Sequence, residues 1–498
     1  MKAWGVPVAV VALALAVGGC AAPAATTTEQ LHATLADRTS SSVGLLGYHG
    51  DYSRTGAFAA DPALDQLKQA WSVSLPGGVH NQPVFADNLV IVADESNHVS
   101  ALDPSSGALR WQVSLGKPLT RVVHYAGCGD IDPLGITSTP VIDDTTDVVY
   151  VVGEVLTSPG HVQHKLEGID IGTGHVVLSE RVDPPLPHGE SAIHLLQRAS
   201  LALANGRVYI GYGGNDGDCG SYHGWVVGVN ETGAKDLASF EVASDGQGGA
   251  IWQGGGAPAV DAAGDLYVTT GNANPDPPQG GPDPKKYTES VVKLSPTLTP
   301  LASFKDEIAG GDEDLSTGNP VLLPGGNVFS IGKTRVGYVL RQSDLTEVAA
   351  IPHICGSDPD GGPAYDATLD EMFVPCRDGG IQPVYLGSAG SASPPNGDAP
   401  VVETRLSGAN SAPILVGQNL WALSYQTNAL FEYNTTTDAQ LQSSSFSATI
   451  AHFETPAAVD GLLLVGTSHG LVAFGSAAAA SVAECDPVLA ARLGLGCV

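Results

Sequence analysis

Basic residues are scarce. The 498-residue chain has 22 Lys and Arg against 52 Asp and Glu, a formal net charge of 22 − 52 = −30. Phosphate contacts need Lys and Arg, so this balance excludes a nucleic-acid partner. It reads first as a solvated acidic surface, with a basic ligand or bound cations as the sharper alternative. Charged residues make up only 15% of the chain, and stretches with helical periodicity are few. Cysteines never occur as CxxC or in a Cys/His cluster, which argues against structural zinc. What is abundant is Gly (62) and Pro (34), the usage of many short strands joined by turns.

The first twenty residues have the form of an export signal. Lys2 gives a short positive region, and VPVAVVALALAV is an apolar run too short to span as a mature helix. It ends in Val17-Gly18-Gly19-Cys20, which resembles the bacterial lipobox. The expectation is that Cys20 is acylated and anchors the chain at the outer face of a bacterial cell membrane. Residues 21–43 are small and polar and read as a flexible tether. Residues 477–498 form an Ala-rich C-terminal tail.

Six cysteines remain after Cys20, an even number suited to disulfides in an oxidising compartment. The expected pairs are Cys355–Cys376 within one repeat, Cys485–Cys497 across the tail, and the remaining Cys128–Cys219.

Between these ends the chain repeats one phrase: small-Pro-hydrophobic, a short turn, then β-rich runs ending near Asp and Gly. Residues 81–116, NQPVFADNLVIVADESNHVSALDPSSGALRWQVSLG, give the clearest copy. The anchor positions are Pro83, Pro140, Leu201, Pro258, Pro320, Pro363, Pro413 and Pro456. Their separations suit four-stranded blades, so residues 44–476 are expected to form an all-β propeller of about eight antiparallel blades. Seven remains the alternative if a degenerate copy is miscounted. The last copy is short of a strand, and LKQAWSVSL (67–75) is expected to complete it, closing the ring through the chain ends. A monomer is expected.

ALDPSSGALRW (101–111) resembles the tryptophan-docking motif of the pyrroloquinoline-quinone (PQQ) repeat propellers, the quinoprotein alcohol dehydrogenase-like family. Residues 48–71 resemble that family's N-terminal segment. The resemblance implies that Trp111 packs between blades while Asp103 and Gly107 shape the turn. It also implies a quinone and calcium on the propeller axis. YVTTGNANP then makes Asn272 a candidate calcium ligand, and GDEDLSTGNPV places the catalytic base at Asp312, with Asp314 as rival. GKTRVGYVL points to Lys333 beside a quinone carbonyl. Where the family has a calcium-binding Glu, this chain reads Asn215-Asp216, so Asp216 is the remaining acidic candidate. Two further departures stand out: no adjacent Cys-Cys pair, and Pro258-Ala259 where an aromatic floor is expected.

Other motifs read as structure. Gly466–Gly470 fits G-x-S-x-G but is followed by a strand, and so is the GKT at 332–334. The Asp/Gly loops at 213–220 and 357–366 read as solvated turns, with calcium coordination as the alternative. His223 reads as a structurally satisfied histidine, and residues 387–400 as a surface loop. The preferred expectation is a non-catalytic binding or scaffolding propeller with a protein, glycan or small-molecule partner. The alternative is a PQQ- and calcium-dependent dehydrogenase of an alcohol, sugar or polymer.

Overall fold

A computed structural model describes residues 1–2, 44–61, 64, 67–187, 189–390 and 399–476. Cys20, the tether and the Cys485–Cys497 pair lie outside these residues. The chain divides into units over residues 1–38 and 39–498, and the second holds the architecture described below.

Eight small sheets follow one another along this unit, so the ring has eight blades, not seven. Each anchor position immediately precedes the innermost strand of a blade. Pro83 precedes Val84–Ala86, Pro140 precedes Val141–Asp143, and Leu201 precedes Ala202–Ala204. The series continues with Ala259–Val260, Val321–Leu323, Ala364–Asp366, Ile414–Val416 and Ala457–Val459. Proline has no N–H to donate, so it sits at the strand's start, where the ladder does not need one. These strands define blades 1 to 8 in that order.

Every innermost strand is buried or nearly so, whereas outermost strands such as Leu109–Ser114 and Gln440–Ser445 expose alternate residues. Aliphatic side chains fill the seams between blades. In the seam between blades 1 and 2, Val84, Ile91 and Val99 join Ile142, Val149 and Val151 in one buried cluster. Blade 8 is completed from the other end of the unit. Leu67–Ser74 pairs antiparallel with Gly470–Ser476, so no edge strand is left open at the closure.

The docking motif works across the blade boundaries. Trp111 Nε1 donates to Ile171 O of blade 2 at 2.7 Å, and its indole covers Gly174. Asp103 accepts from Ser105 N at 2.9 Å, and Gly107 N donates to Asp103 O at 2.8 Å, which fixes the turn. Gly107 has φ +70°, a backbone state that suits glycine.

Residues 44–58 run along the innermost strands. Their carbonyls accept the N–H groups of Phe85, Ile142, Val260, Leu322, Tyr365 and Leu415, one from each of six blades. Ala57–Phe58 adds a short parallel strand to blade 7. Tyr48 and Arg54 of this segment are buried. Arg54 Nε donates to Pro258 O at 2.9 Å, and its Nη1 to the Tyr48 and Asp51 carbonyls.

The disulfides Cys128–Cys219 and Cys355–Cys376 are formed. The first ties the loop entering blade 2, which carries the short helix Val122–Ala126, to a loop of blade 3. Among the described residues no helix is long and apolar enough to cross a membrane.

Candidate functional site

Two kinds of loop share one end of the ring: those leading into each innermost strand and those joining each blade's second and third strands. Asp312 and Asp314 lie on the loop entering blade 5, Lys333 on that blade's inner-strand connection, and Asn272 on the equivalent connection of blade 4. The structure brings them together. Lys333 Nζ is bonded to Asp312 and lies 3.0 Å from Asp314 Oδ2, while Asp314 Oδ1 accepts Asn272 N at 3.1 Å. Gly271 permits this approach, since a Cβ there would lie 2.0 Å from Asp314 Oδ1. Asn272 Nδ2 donates to Asp276 at 2.9 Å.

Burial alone would lower the Lys333 pKa, but the attraction of Asp314 and Asp312 wins and holds it above the usual lysine value. Asp218, which the sequence reading did not single out, also feels this cluster. Burial pushes its pKa up to about 6, opposed by its bond from Tyr222 and reinforced by Asp314 and Asp312. Asn274 Nδ2 anchors its carbonyl at 2.8 Å. Beneath the cluster, burial and then Asp314 raise the pKa of Glu289 well above the ordinary range, and its Oε2 accepts Leu315 N at 2.9 Å.

Asp216 is exposed and takes part in none of these contacts, and Asn215 is turned inward to donate to Ile193 O at 3.1 Å. Among the described residues no group of three or more His, Cys, Asp or Glu is placed to hold a metal ion. His223 is satisfied, with Nδ1 2.6 Å from Glu190 and Nε2 2.9 Å from Gly246 O. In the 357–366 loop, Asp358 and Asp360 pair with Arg377. Gly466–Gly470 is a tight connection between two antiparallel strands.

The axis itself is filled. Trp252 of the loop entering blade 4 meets Phe453 of the loop entering blade 8, with ring centroids 5.2 Å apart. Blades 4 and 8 are opposite in an eight-membered ring, so this contact crosses the axis. Arg198, entering blade 3, lies 5.9 Å from the Phe453 ring. It donates to the His80, Thr137 and His452 carbonyls at 3.0 to 3.4 Å, spanning blades 1, 2 and 8. Deeper in, Tyr48 OH lies beside Asn319: a Cβ on Gly362 would fall 2.5 Å from the phenol oxygen and 2.1 Å from Asn319 Oδ1.

A planar cofactor on the axis does not fit these residues. Its floor would be Pro258 and Ala259, which are buried at the start of an innermost strand, and Pro258 O is taken by Arg54. Its roof is occupied by Trp252, Phe453 and Arg198. The place of a bridging cation among Asp312 and Asp314 is taken by the Lys333 ammonium.

The sequence reading missed Arg198, Trp252 and Phe453, although a signal existed. His80, Thr137, Arg198, Gly255, Thr317, Asp360, Asn410 and Phe453 each lie three residues before an anchor position. One register of the repeat therefore lines the axial mouth.

Residues 62–274 match the family model described as outer membrane protein assembly factor BamB. A comparison with curated proteins found no match. Among solved structures, the chain is similar to quinohemoprotein alcohol dehydrogenase from Comamonas testosteroni, with TM-score 0.65 and 15% identity over 89% of this chain and 81% of that one. It is similar to a europium-containing methanol dehydrogenase, with TM-score 0.64 and 13% identity over 89% and 100% of the two chains. BamB from Moraxella catarrhalis gives TM-score 0.52 and 12% identity over 82% and 99%. Likeness at these identities is a likeness of fold, and it reaches dehydrogenases and an assembly factor alike. With eight blades and a working tryptophan-docking turn, the chain has the β-propeller fold of the quinoprotein alcohol dehydrogenases, and the family match covers residues 62–274 of it.

Proposed function

We propose that this protein is a non-catalytic binding or scaffolding propeller, held outside the bacterial cell membrane by a lipid on Cys20. The observation that carries the reading is the contact of Trp252 with Phe453 across the axis, with Arg198 beside them. Side chains of the protein itself fill the place a quinone would take, while the blades and docking turns are intact. A rigid ring with a loop-rich face suits recognition by loops on a fixed scaffold. The signal-like segment, the Cys20 context and the polar tether support display at a membrane surface.

One observation favours a second reading, a PQQ- and calcium-dependent dehydrogenase. Asp312, Asp314, Lys333 and Asn272 do converge. In that reading Lys333 would have to exchange its carboxylate partners for the cofactor.

Calorimetric titration of the purified mature protein with PQQ in calcium buffer separates the two. No saturable heat is expected from folded protein. Saturable binding that Lys333→Ala abolishes overturns the scaffold reading. Loss of palmitate labelling in Cys20→Ser tests the anchor.

A further inference from the structure

The axial mouth carries a histidine set up as a hydrogen-bond acceptor. Asp360 is fully buried and faces three donors: Tyr425 OH at 2.5 Å, His452 Nε2 at 2.7 Å and Arg377 Nε at 3.4 Å. A carboxylate oxygen facing Nε2 accepts, which places the proton of neutral His452 on Nε2. Nδ1 is then left as a lone-pair acceptor. Among the described residues no hydrogen bond or ion pair is made through Nδ1, and the side chain is 35% exposed.

The imidazole lies in a group of half-buried rings. It stacks on Phe453 at 3.9 Å and tilts against Tyr425 at 4.7 Å, and Phe453 in turn meets Trp252. Phe453 is held at φ +66°, a conformation that costs a non-glycine residue free energy and clusters at functional positions. The nearest charges of both signs face one another. Arg377 is shared by Asp358 and Asp360, and Arg198 has Glu454 nearby, whose carboxyl pKa burial raises well above its usual value against the pull of Arg198.

From this geometry we infer that the axial mouth binds a neutral pyranose ring, as a free sugar or a glycan terminus, with one hydroxyl donated to His452 Nδ1. The ring's C–H face lies against the Trp252–Phe453 pair. An aromatic surface with one fixed acceptor and little net charge selects a neutral ring with hydroxyl donors over an organic anion or amine. The inference rests on reading this end of the propeller as a binding face and names its ligand.

The test is calorimetry of the whole protein with methyl pyranosides of neutral sugars, with acetate and methylamine as controls. The part of the tryptophan emission change that Trp252→Ala removes reports on Trp252. Saturable binding of a pyranoside is expected, weakened at least tenfold by His452→Gln and by Trp252→Ala. If His452→Gln does not fold, Trp252→Ala carries the test. Absence of pyranoside binding by folded protein overturns the inference, as does binding indifferent to both His452→Gln and Trp252→Ala. PQQ binding is read in a separate titration, so failure of the scaffold reading is distinguishable from failure of this one.

Discussion

The indole of Trp71 lies on Gly107, so that a Cβ added to Gly107 would fall 2.7 Å from the ring. Trp71 Nε1 also donates to Pro104 O at 2.7 Å. Trp71 is on the strand that completes blade 8, and Gly107 is in the turn of blade 1. The same device that joins Trp111 to Gly174 between blades 1 and 2 therefore operates at the seam where the ring closes.

Gly107→Ala should be among the costliest glycine substitutions. It strains a φ of +70° and must displace a buried indole, together about 2–4 kcal/mol. Gly206 has the same φ with nothing within 4 Å, so Gly206→Ala carries the backbone strain alone, about 1–2 kcal/mol. Denaturant midpoints of the two variants check this. Equal losses would mean that Trp71 docking contributes nothing at the seam.

Asp218 gives a pH signature. Its folded pKa is raised from 3.8 to about 6, so the folded state holds a proton that the unfolded chain releases. The stability this group provides is present below pH 4 and is lost as pH rises through 6. Asp218→Asn should therefore match the unsubstituted protein at pH 4 and exceed it at pH 7.5. The ceiling is roughly 3 kcal/mol at about 1.4 kcal/mol per pKa unit. Partial exposure and the lost Tyr222 bond bring the expected gain to about 1–2 kcal/mol. Thermal melts at the two pH values measure it, and a variant that is less stable at pH 7.5 contradicts it.

The two disulfides should differ in worth. Cys128–Cys219 closes a separation of 91 residues and Cys355–Cys376 one of 21. The chain-entropy model gives about 4–5 kcal/mol for the longer loop and about 3 for the shorter. Paired Cys→Ser variants, unfolded in denaturant, should rank in that order. The reverse order would mean that the loop of blade 3 is held chiefly by its hydrogen bonds to Asn215 and Asn274.

What the sequence disclosed follows from where its information is local. Pro83, Pro140 and five further prolines mark strand starts because a residue without N–H is confined there, and Leu201 keeps the place of the eighth, so about eight blades could be read with seven as the alternative. Trp111, Asp103 and Gly107 are a contiguous turn, and they were legible for the same reason. Asp312, Lys333 and Asn272 could be brought together only through family resemblance, since nothing in their spacing of 21 to 61 positions says that the loops meet. Arg198, Trp252 and Phe453 were out of reach for a stronger reason. Their contact depends on ring closure, which makes blades 4 and 8 opposite; the register three residues before each anchor holds Arg198 and Phe453, but Trp252 lies outside it and nothing local says that the register faces the centre. Asp218 instead of Asp216 is a matter of loop direction, which a string of Gly and Asp leaves open.

Lys305 should control the order of the loop that carries Asn272. Its ammonium donates to the carbonyls of Asp283, Lys285 and Thr288 at 2.9, 2.7 and 2.7 Å, and lies 3.1 Å from Thr288 Oγ1. A loop rich in carbonyls facing inward thus has a cation of the protein's own at its centre. Asp283 carries the effect onward, accepting Ala273 N at 2.7 Å, one residue from Asn272. Lys305→Met keeps much of the stem but leaves Asp283 O without a donor, at about 1–3 kcal/mol, whereas Lys285 O keeps its bond from Thr288 Oγ1 and Thr288 O its bond from Ser290 Oγ. Amide exchange should accelerate across residues 270–289 while the strands of blades 1 and 2 keep their protection. If exchange rises equally everywhere, Lys305 supports the whole ring. If it does not rise, the loop is held by Asp283 and the inner strands alone.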